Sequence, residues 1–291
     1  MRIHILGTGA LACFFGARLT RVAEVTLLGT WTEGIRAIAN CGIVLETTHA
    51  EESHPARSVR VGTPLDPGDL VLVLVKAWQT GRVAREVPAL TARDGQVLTL
   101  QNGLGNVEKL GPRAILGVTE QGATLVAPGR VRPCGDGPTH IAGPDSLAAV
   151  FRSAGLDARA VDPALGNSLA WGKLAVNAGI NALSAILRVS NGQLLERPEA
   201  LILLEGAANE VAEVARAKGI ALPFPDAAVE ARRVARATES NLSSMLQDVL
   251  RGAPTEIDAI NGAVVREGVR VGVPTPANET LLRLLGARAA A

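Results

Sequence analysis

The chain has 291 residues, a length that suits two domains better than one core. Hydrophobic residues make up 47% and charged residues 20%, and the formal net charge is +1, so neither nucleic acid nor an anionic membrane surface is expected as a partner. No apolar run reaches the roughly 18 residues of a membrane span, the N-terminus reads as strand and turn rather than as a signal segment, and Cys13, Cys41 and Cys134 are too widely spaced for metal ligation, so reduced thiols, no metal site and a cytoplasmic location are expected.

Chain order begins with "RIHILGTGALACFFGARL". A short apolar strand from Ile3 to Leu6 meets Gly7-Thr8-Gly9, and a helix runs on to about Leu19. Gly7, Gly9 and Ala12 stand at the three positions of a dinucleotide-binding turn. The first makes the tight turn, the second lets a pyrophosphate approach the backbone, and the small third residue lets helix and strand pack closely. The N–H groups of the helix start then face the phosphates. A second strand follows at Glu24 to Gly29. Its end normally selects the cofactor, an acid for a ribose 2′-hydroxyl and a base for a 2′-phosphate. Gly29-Thr30-Trp31-Thr32-Glu33 meets neither rule. Thr30 and Thr32 can bond a phosphate, Arg36 lies one turn further, and Glu33 can face a hydroxyl, so NADPH and NADH both stay open.

The runs "DLVLVLVKAW" (Asp69 to Trp78) and "QVLTLQNGLGN" (Gln96 to Asn106) follow, then "RAILGVT" and "QGATLVAPGRVRPCG". Apolar strands alternating with helical segments predict a parallel sheet covered on both faces, with ligands beyond the carboxyl ends of its strands. Lys76 and Asn102 fall at such ends. Lys76 is read as a cofactor contact and Asn102 as a holder of nicotinamide or substrate, against the plainer readings of an edge lysine and a helix cap. Val126 to Gly143 reads as a hairpin finishing the sheet, and Asp157 to Ala170 as the last strand and the crossover. Boundaries of 1–164 and 165–291 follow.

The second half has helical periodicity. A long amphipathic helix spans Arg197 to Ile220, another about Asp226 to Ala237, and three more follow between Asn241 and the C-terminus. Ser190 to Leu194 reads as a turn. Asn241 to Met245 reads as a helix start with serine caps, and Thr255 to Asp258 as another helix start, where an acid is favoured by the helix dipole.

"WGKLAVNAGINALSAIL" places Lys173, Asn177 and Asn181 at i, i+4 and i+8. Each four-residue step turns a helix by about 400°, so the three drift only about 80° and form one polar stripe on an apolar rod. Of 29 basic residues only Lys76, Lys109, Lys173 and Lys218 are lysines. Arginine does not release its proton in a protein and lysine does. All four histidines, His4, His49, His54 and His140, lie in the first half. If the protein reduces a carbonyl, the proton donor is therefore expected to be Lys173, against the alternative of a lysine whose head reaches solvent.

The segments "GTGALA", "KAWQT", "QNGLGN", "WGKLAVNAGINALSAI", "NGQL", "NLSSMLQD" and "TEIDAINGAVV" occur in an order that resembles the ketopantoate reductase (2-dehydropantoate 2-reductase) family over nearly the whole chain. The resemblance implies an α/β Rossmann N-terminal domain with a mostly parallel sheet, an all-α C-terminal domain and a cleft between them. It implies a catalytic role for Lys173, with Glu256 as its acidic companion. Substrate contacts are implied for Asn177, Asn181, Asn191, Asn241 and Ser244, and cofactor contacts for Gly7, Thr8, Gly9, Ala10, Leu11, Ala12, Lys76 and Asn102. The implied reaction is reduction of 2-dehydropantoate to pantoate, in pantothenate and coenzyme A biosynthesis. NADPH is the expected donor with NADH not excluded, a small 2-oxo acid is the expected partner, and a homodimer is a candidate assembly. Two departures stand out: Gly29-Thr30 occupies the place where the family usually has an arginine, and Ala253 stands where a basic residue is common. Reduction of another branched 2-oxo acid and a non-catalytic nucleotide sensor are the alternative readings. A 3-hydroxy-acid dehydrogenase is disfavoured by "SSMLQD" and "TEID".

Overall fold

The computed structural model describes residues 1–47 and 50–289, so His49 lies outside the described residues. The chain divides into two compact units, Met1–Gln101 with Asn106–Gly166, and Asn102–Gly105 with Asn167–Ala291.

Among the described residues the first unit has twelve strands. These are β1 (Arg2–Leu6), β2 (Glu24–Gly29), β3 (Ile43–Glu46), β4 (Glu51–His54), β5 (Arg57–Arg60), β6 (Gly68–Val73), β7 (Thr91–Thr99), β8 (Ala114–Thr119), β9 (Gly122–Ala127), β10 (Arg130–Gly135), β11 (Thr139–Ile141) and β12 (Ala158–Ala160). Eight of them form one sheet in the order β12-β11-β8-β7-β6-β1-β2-β5. It is parallel except where β11 runs against β8. Alternate residues serve its two faces: Ile3 and Ile5 pack with Phe15 and Leu19, whereas Leu6 packs with Leu28, Val71 and Leu110.

The remaining four strands form a second sheet in the order β4-β3-β10-β9. This corrects the reading of Val126 to Gly143 as a hairpin closing the main sheet. The hairpin turns earlier, at Gly129 (φ +70), and β10 takes β3 as its other neighbour. Only β11 from that stretch reaches the main sheet. The helix Ala10–Leu19 touches both sheets: a Cβ on Gly16 would lie 2.9 Å from Ile43 Cδ1 and 3.5 Å from both Ile5 Cδ1 and Leu27 Cδ1. A helix covered on two sides is apolar all round, which explains its "ALACFFGARL" sequence.

The second unit is helical. Its helices are Pro163–Leu187 (entering from the end of the first unit), Asn191–Leu195, Pro198–Ala217, Ala227–Ala237, Ser244–Leu250, Asn261–Val271 and Pro276–Ala289. The stretch read as a turn at Ser190 to Leu194 is a short helix, because Ser190 and Gln193 form a capping box in which the Ser190 N–H donates to Gln193 Oε1 at 3.0 Å. Thr255 to Asp258 is a turn rather than a helix start. Ile260, at φ −101 and ψ −93, interrupts the spiral and the helix opens at Asn261. Pro198–Ala217 packs against Pro163–Leu187 at Gly179, where a Cβ would lie 2.7 Å from the Leu204 carbonyl oxygen. A Cβ on Gly172 would lie 2.7 Å from Pro223 Cδ and Cγ.

Candidate active site

The strand order reverses at the carboxyl ends of β1 and β6, the place where open α/β sheets bind ligands. There the Gly7 N–H donates to the Leu28 carbonyl at 2.8 Å and the Leu74 N–H donates to the Leu6 carbonyl at 2.8 Å. Gly7 has φ +136, and a Cβ on it would lie 3.0 Å from the Leu74 carbonyl carbon and oxygen, so glycine is required by the turn itself. Gly9 differs. Its φ of −84 and ψ of −172 suit any residue, and a Cβ there would meet nothing within 4 Å. It is exposed and caps the Ala10–Leu19 helix, which carries no side-chain cap and no acid in its first turn. Neither backbone nor packing demands glycine at position 9. The space over it is open, and the helix start beside it offers unpaired N–H groups and a positive dipole end. Thr8 is buried, and a Cβ on Gly29 would lie 2.6 Å from its Cγ2 and Oγ1. Gly29 is thus a glycine because Thr8 stands over it. Ala10 and Leu11 open the helix half-buried, and Ala12 is buried against the sheet.

β6 ends at Val73, and Lys76 follows in extended conformation, half-buried, just before a short 3-10 turn at Ala77–Gln79. The residue that ties this crossing to β7 is Gln101. Its Nε2 donates to the Val75 carbonyl at 2.7 Å and to Thr80 Oγ1 at 2.8 Å, while its Oε1 accepts from Thr99 Oγ1 at 2.9 Å. Thr80 is fully buried and donates to Asn106 Oδ1 at 3.0 Å. Sequence reasoning passed over Gln101, Thr80 and Asn106. The signal was available, since polar residues flanking the apolar strand ends need buried partners.

In the second unit Lys173, Asn177 and Asn181 all fall on the Pro163–Leu187 helix, with Lys173 and Asn177 half-buried and Asn181 buried. Gly172 and Gly179, which admit their neighbours at short range, lie on that helix about 150° around from the centre of the polar stripe at roughly 100° per residue. The helix therefore packs by its glycine side and carries its polar groups on the other. The stripe is held in register at its end: the Ser184 hydroxyl lies 2.7 Å from Ser243 Oγ and 3.1 Å from the Asn181 carbonyl oxygen.

Ser243 is the buried residue of the serine pair and caps the Ser244–Leu250 helix by accepting from the Leu246 N–H at 3.1 Å. Ser244 is exposed and Asn241 half-buried. The Asn191 N–H donates to the Asn241 carbonyl at 3.0 Å, and Asn191 Nδ2 donates to Thr238 Oγ1 at 2.9 Å. Asn191 Oδ1 is buried and accepts no hydrogen bond among the described residues. Glu256 is 7% exposed, in the turn before Asn261. That turn also receives residues 102–105. Gly103, at φ +81, lies so close to Ala259 that a Cβ would stand 2.3 Å from its carbonyl oxygen, and the Leu104 N–H donates to that oxygen at 3.0 Å. Asn102, read as an end of the first unit's sheet, thus belongs with the segment that carries Glu256. Asn261 anchors the turn to the stripe helix, its Nδ2 donating to the Ala178 carbonyl at 3.1 Å and to Asn278 Oδ1 at 3.0 Å.

Family models described as ketopantoate reductase PanE/ApbA match residues 3–145, and as ketopantoate reductase PanE/ApbA C terminal residues 167–289. The chain belongs to this family. A 2-dehydropantoate 2-reductase of Archaeoglobus fulgidus is 35% identical, the match covering 98% of this chain and 96% of that one. The crystal structure of a PanE/ApbA family ketopantoate reductase from Ralstonia eutropha is similar over the full length of both chains, with a TM-score of 0.91 at 33% identity. A D-mandelate dehydrogenase solved with NADH and anilino(oxo)acetate is also similar, with a TM-score of 0.92 at 29% identity over 100% of this chain and 99% of that one. Among the described residues, no helix is long and apolar enough to cross a membrane.

Proposed function

We propose that the protein is an NAD(P)H-dependent 2-dehydropantoate 2-reductase, acting in the cytoplasm in pantothenate and coenzyme A biosynthesis. The observation that carries the chemistry is the stripe of Lys173, Asn177 and Asn181 on the helix face turned away from the packing glycines. The N-terminal unit holds the nucleotide, its diphosphate against Gly7 to Ala12, with Lys76 as a further contact. The helical unit holds the substrate.

When bound, the nicotinamide supplies the hydride to the C2 carbonyl. The residues do the rest. The Lys173 ammonium donates a hydrogen bond to the ketone oxygen, stabilises the alkoxide as its charge grows and delivers the proton. Asn177 and Asn181 each offer one acceptor and two donors, which suits the hydroxyl and carboxylate of the substrate. The unmatched Asn191 Oδ1, with Asn241 and Ser244, completes the polar set, Glu256 supplies a carboxylate to the ammonium's surroundings, and Asn102 steadies the nicotinamide or substrate from the Glu256 turn. Assembly as a homodimer is part of the proposal. Ile202 and Leu203, 68% and 38% exposed on the Pro198–Ala217 helix, offer it apolar surface.

The test is oxidation of NADPH and NADH by the purified protein with 2-dehydropantoate. Turnover dependent on that substrate is expected, and failure with both nucleotides overturns the reading. The likeness to a D-mandelate dehydrogenase favours a second reading, a reductase of another 2-oxo acid, in which 2-oxo-2-phenylacetate or a branched 2-oxo acid gives the higher kcat/KM. Ala253, half-buried after Gly252 where a basic residue is common, fits that reading too.

A further inference from the structure

No acid or base stands at the end of β2: Thr8 occupies the space above Gly29, and the next residue is the exposed Thr30. The neighbouring strand supplies a replacement. β5 runs parallel to β2 at the sheet edge, with Arg60 as the Cα partner of Gly29 and Val61 N–H donating to the Gly29 carbonyl at 2.9 Å. Partnered residues of parallel strands project to the same face. Arg60 therefore leaves the sheet on the face where Thr8 covers Gly29, the face of the Ala10–Leu19 helix. Its Nη1 donates to Thr32 Oγ1 at 3.4 Å, at the first residue of the Thr32–Cys41 helix. Arg60 is exposed, and among the described residues it makes no ion pair.

We infer that Arg60, together with the hydroxyls of Thr30 and Thr32, binds the 2′-phosphate of NADPH and makes the protein prefer it. The inference rests on the nucleotide-binding reading above and adds the residue that sets its specificity. A guanidinium supplies two parallel donors that match a phosphate. It stands on a neighbouring strand at the level of the residue it replaces, so the charge reaches the same place without an arginine after β2. Glu33, exposed at the next position of the helix, is the group on this edge that would favour a 2′-hydroxyl instead.

The experiment is calorimetric binding of NADPH, NADH and adenosine 2′,5′-bisphosphate to the wild type, Arg60→Ala and Arg60→Lys. Losing a charge-assisted bond to phosphate is expected to weaken NADPH and the bisphosphate about 10- to 100-fold, with NADH changed less than about twofold. Arg60→Lys, keeping the charge without the fork, is expected to fall between. Added salt is expected to weaken NADPH more than NADH in the wild type, and to lose that difference in Arg60→Ala. Equal effects on both nucleotides in Arg60→Ala, or none, overturn the assignment, as does a wild type that binds NADH more tightly than NADPH. A wild type that binds neither nucleotide overturns the proposed function as well.

Discussion

Gly7 and Gly9 stand two residues apart in one turn, yet the turn demands glycine at the first and not at the second, and alanine separates the two. At Gly7 the φ of +136 lies outside what an L side chain adopts comfortably, and a Cβ would press on the Leu74 carbonyl at 3.0 Å. Positive-φ strain of about 1–2 kcal/mol and crowding of about 1–3 kcal/mol add to a loss of roughly 2–5 kcal/mol for Gly7→Ala. At Gly9 the backbone is extended and the new methyl meets nothing. Gly9→Ala is therefore close to neutral in stability, a gain of about 0.4–1 kcal/mol through the unfolded chain offsetting a loss of similar size at the N-cap, where alanine is the poorer residue. The nucleotide tells the opposite story. In the proposed function a methyl at Gly9 would occupy the space given to the diphosphate, so NADPH binding should fall at least about tenfold, corresponding to about 1.4 kcal/mol. The assays are urea unfolding of the two apo variants and calorimetric titration of Gly9→Ala with NADPH. A Gly9→Ala protein that binds NADPH like the wild type would refute the reasoning, since the open space at Gly9 would then face solvent alone.

Lys173→Ala should lose about 10²–10⁴-fold in kcat, the usual contribution of a proton-transfer group, while NADPH affinity measured by calorimetry stays within about twofold. Turnover near wild type would remove Lys173 from the chemistry. Stability should fall as the pH drops below 6.5. Burial, followed by the charge of Arg21, holds His54 below its ordinary value of 6.5, and burial does the same for His140. The unfolded chain then takes up these protons first, so the stabilisation is complete above 6.5 and is lost as the pH falls toward the folded values. Urea midpoints of the wild type and of a His54→Gln, His140→Gln variant, measured from pH 7.5 to 5.5, should show the shallower slope in the variant. Parallel slopes would mean that the two rings do not carry the effect.

Patterns that depend only on near neighbours in the chain are legible in the order of residues alone. The Gly7 to Ala12 turn between a strand and a helix, the apolar strands of the main sheet and the polar line of Lys173, Asn177 and Asn181 all rest on periods of a few residues, which local geometry fixes. Where sequence reading fell short, a distant partner decided. β10 pairs with β3 rather than with the main sheet, and nothing within either strand states that choice. Gly103 lies on Ala259, which moves Asn102 to the Glu256 turn. Of two adjacent serines, Ser184 takes Ser243 as its buried partner and leaves Ser244 exposed.

The end of β2 draws the line between the two kinds of information. Residue order suffices to show a glycine-rich turn between the first strand and helix, and that neither an acid nor an arginine follows the second strand. The reason Gly29 carries no side chain is three-dimensional, because Thr8 fills the space over it. So is the identity of its neighbour, because Arg60 reaches Gly29 through a strand pairing across about thirty residues of chain. Hydrogen bonds between strands carry no mark of their partner in the sequence of either one.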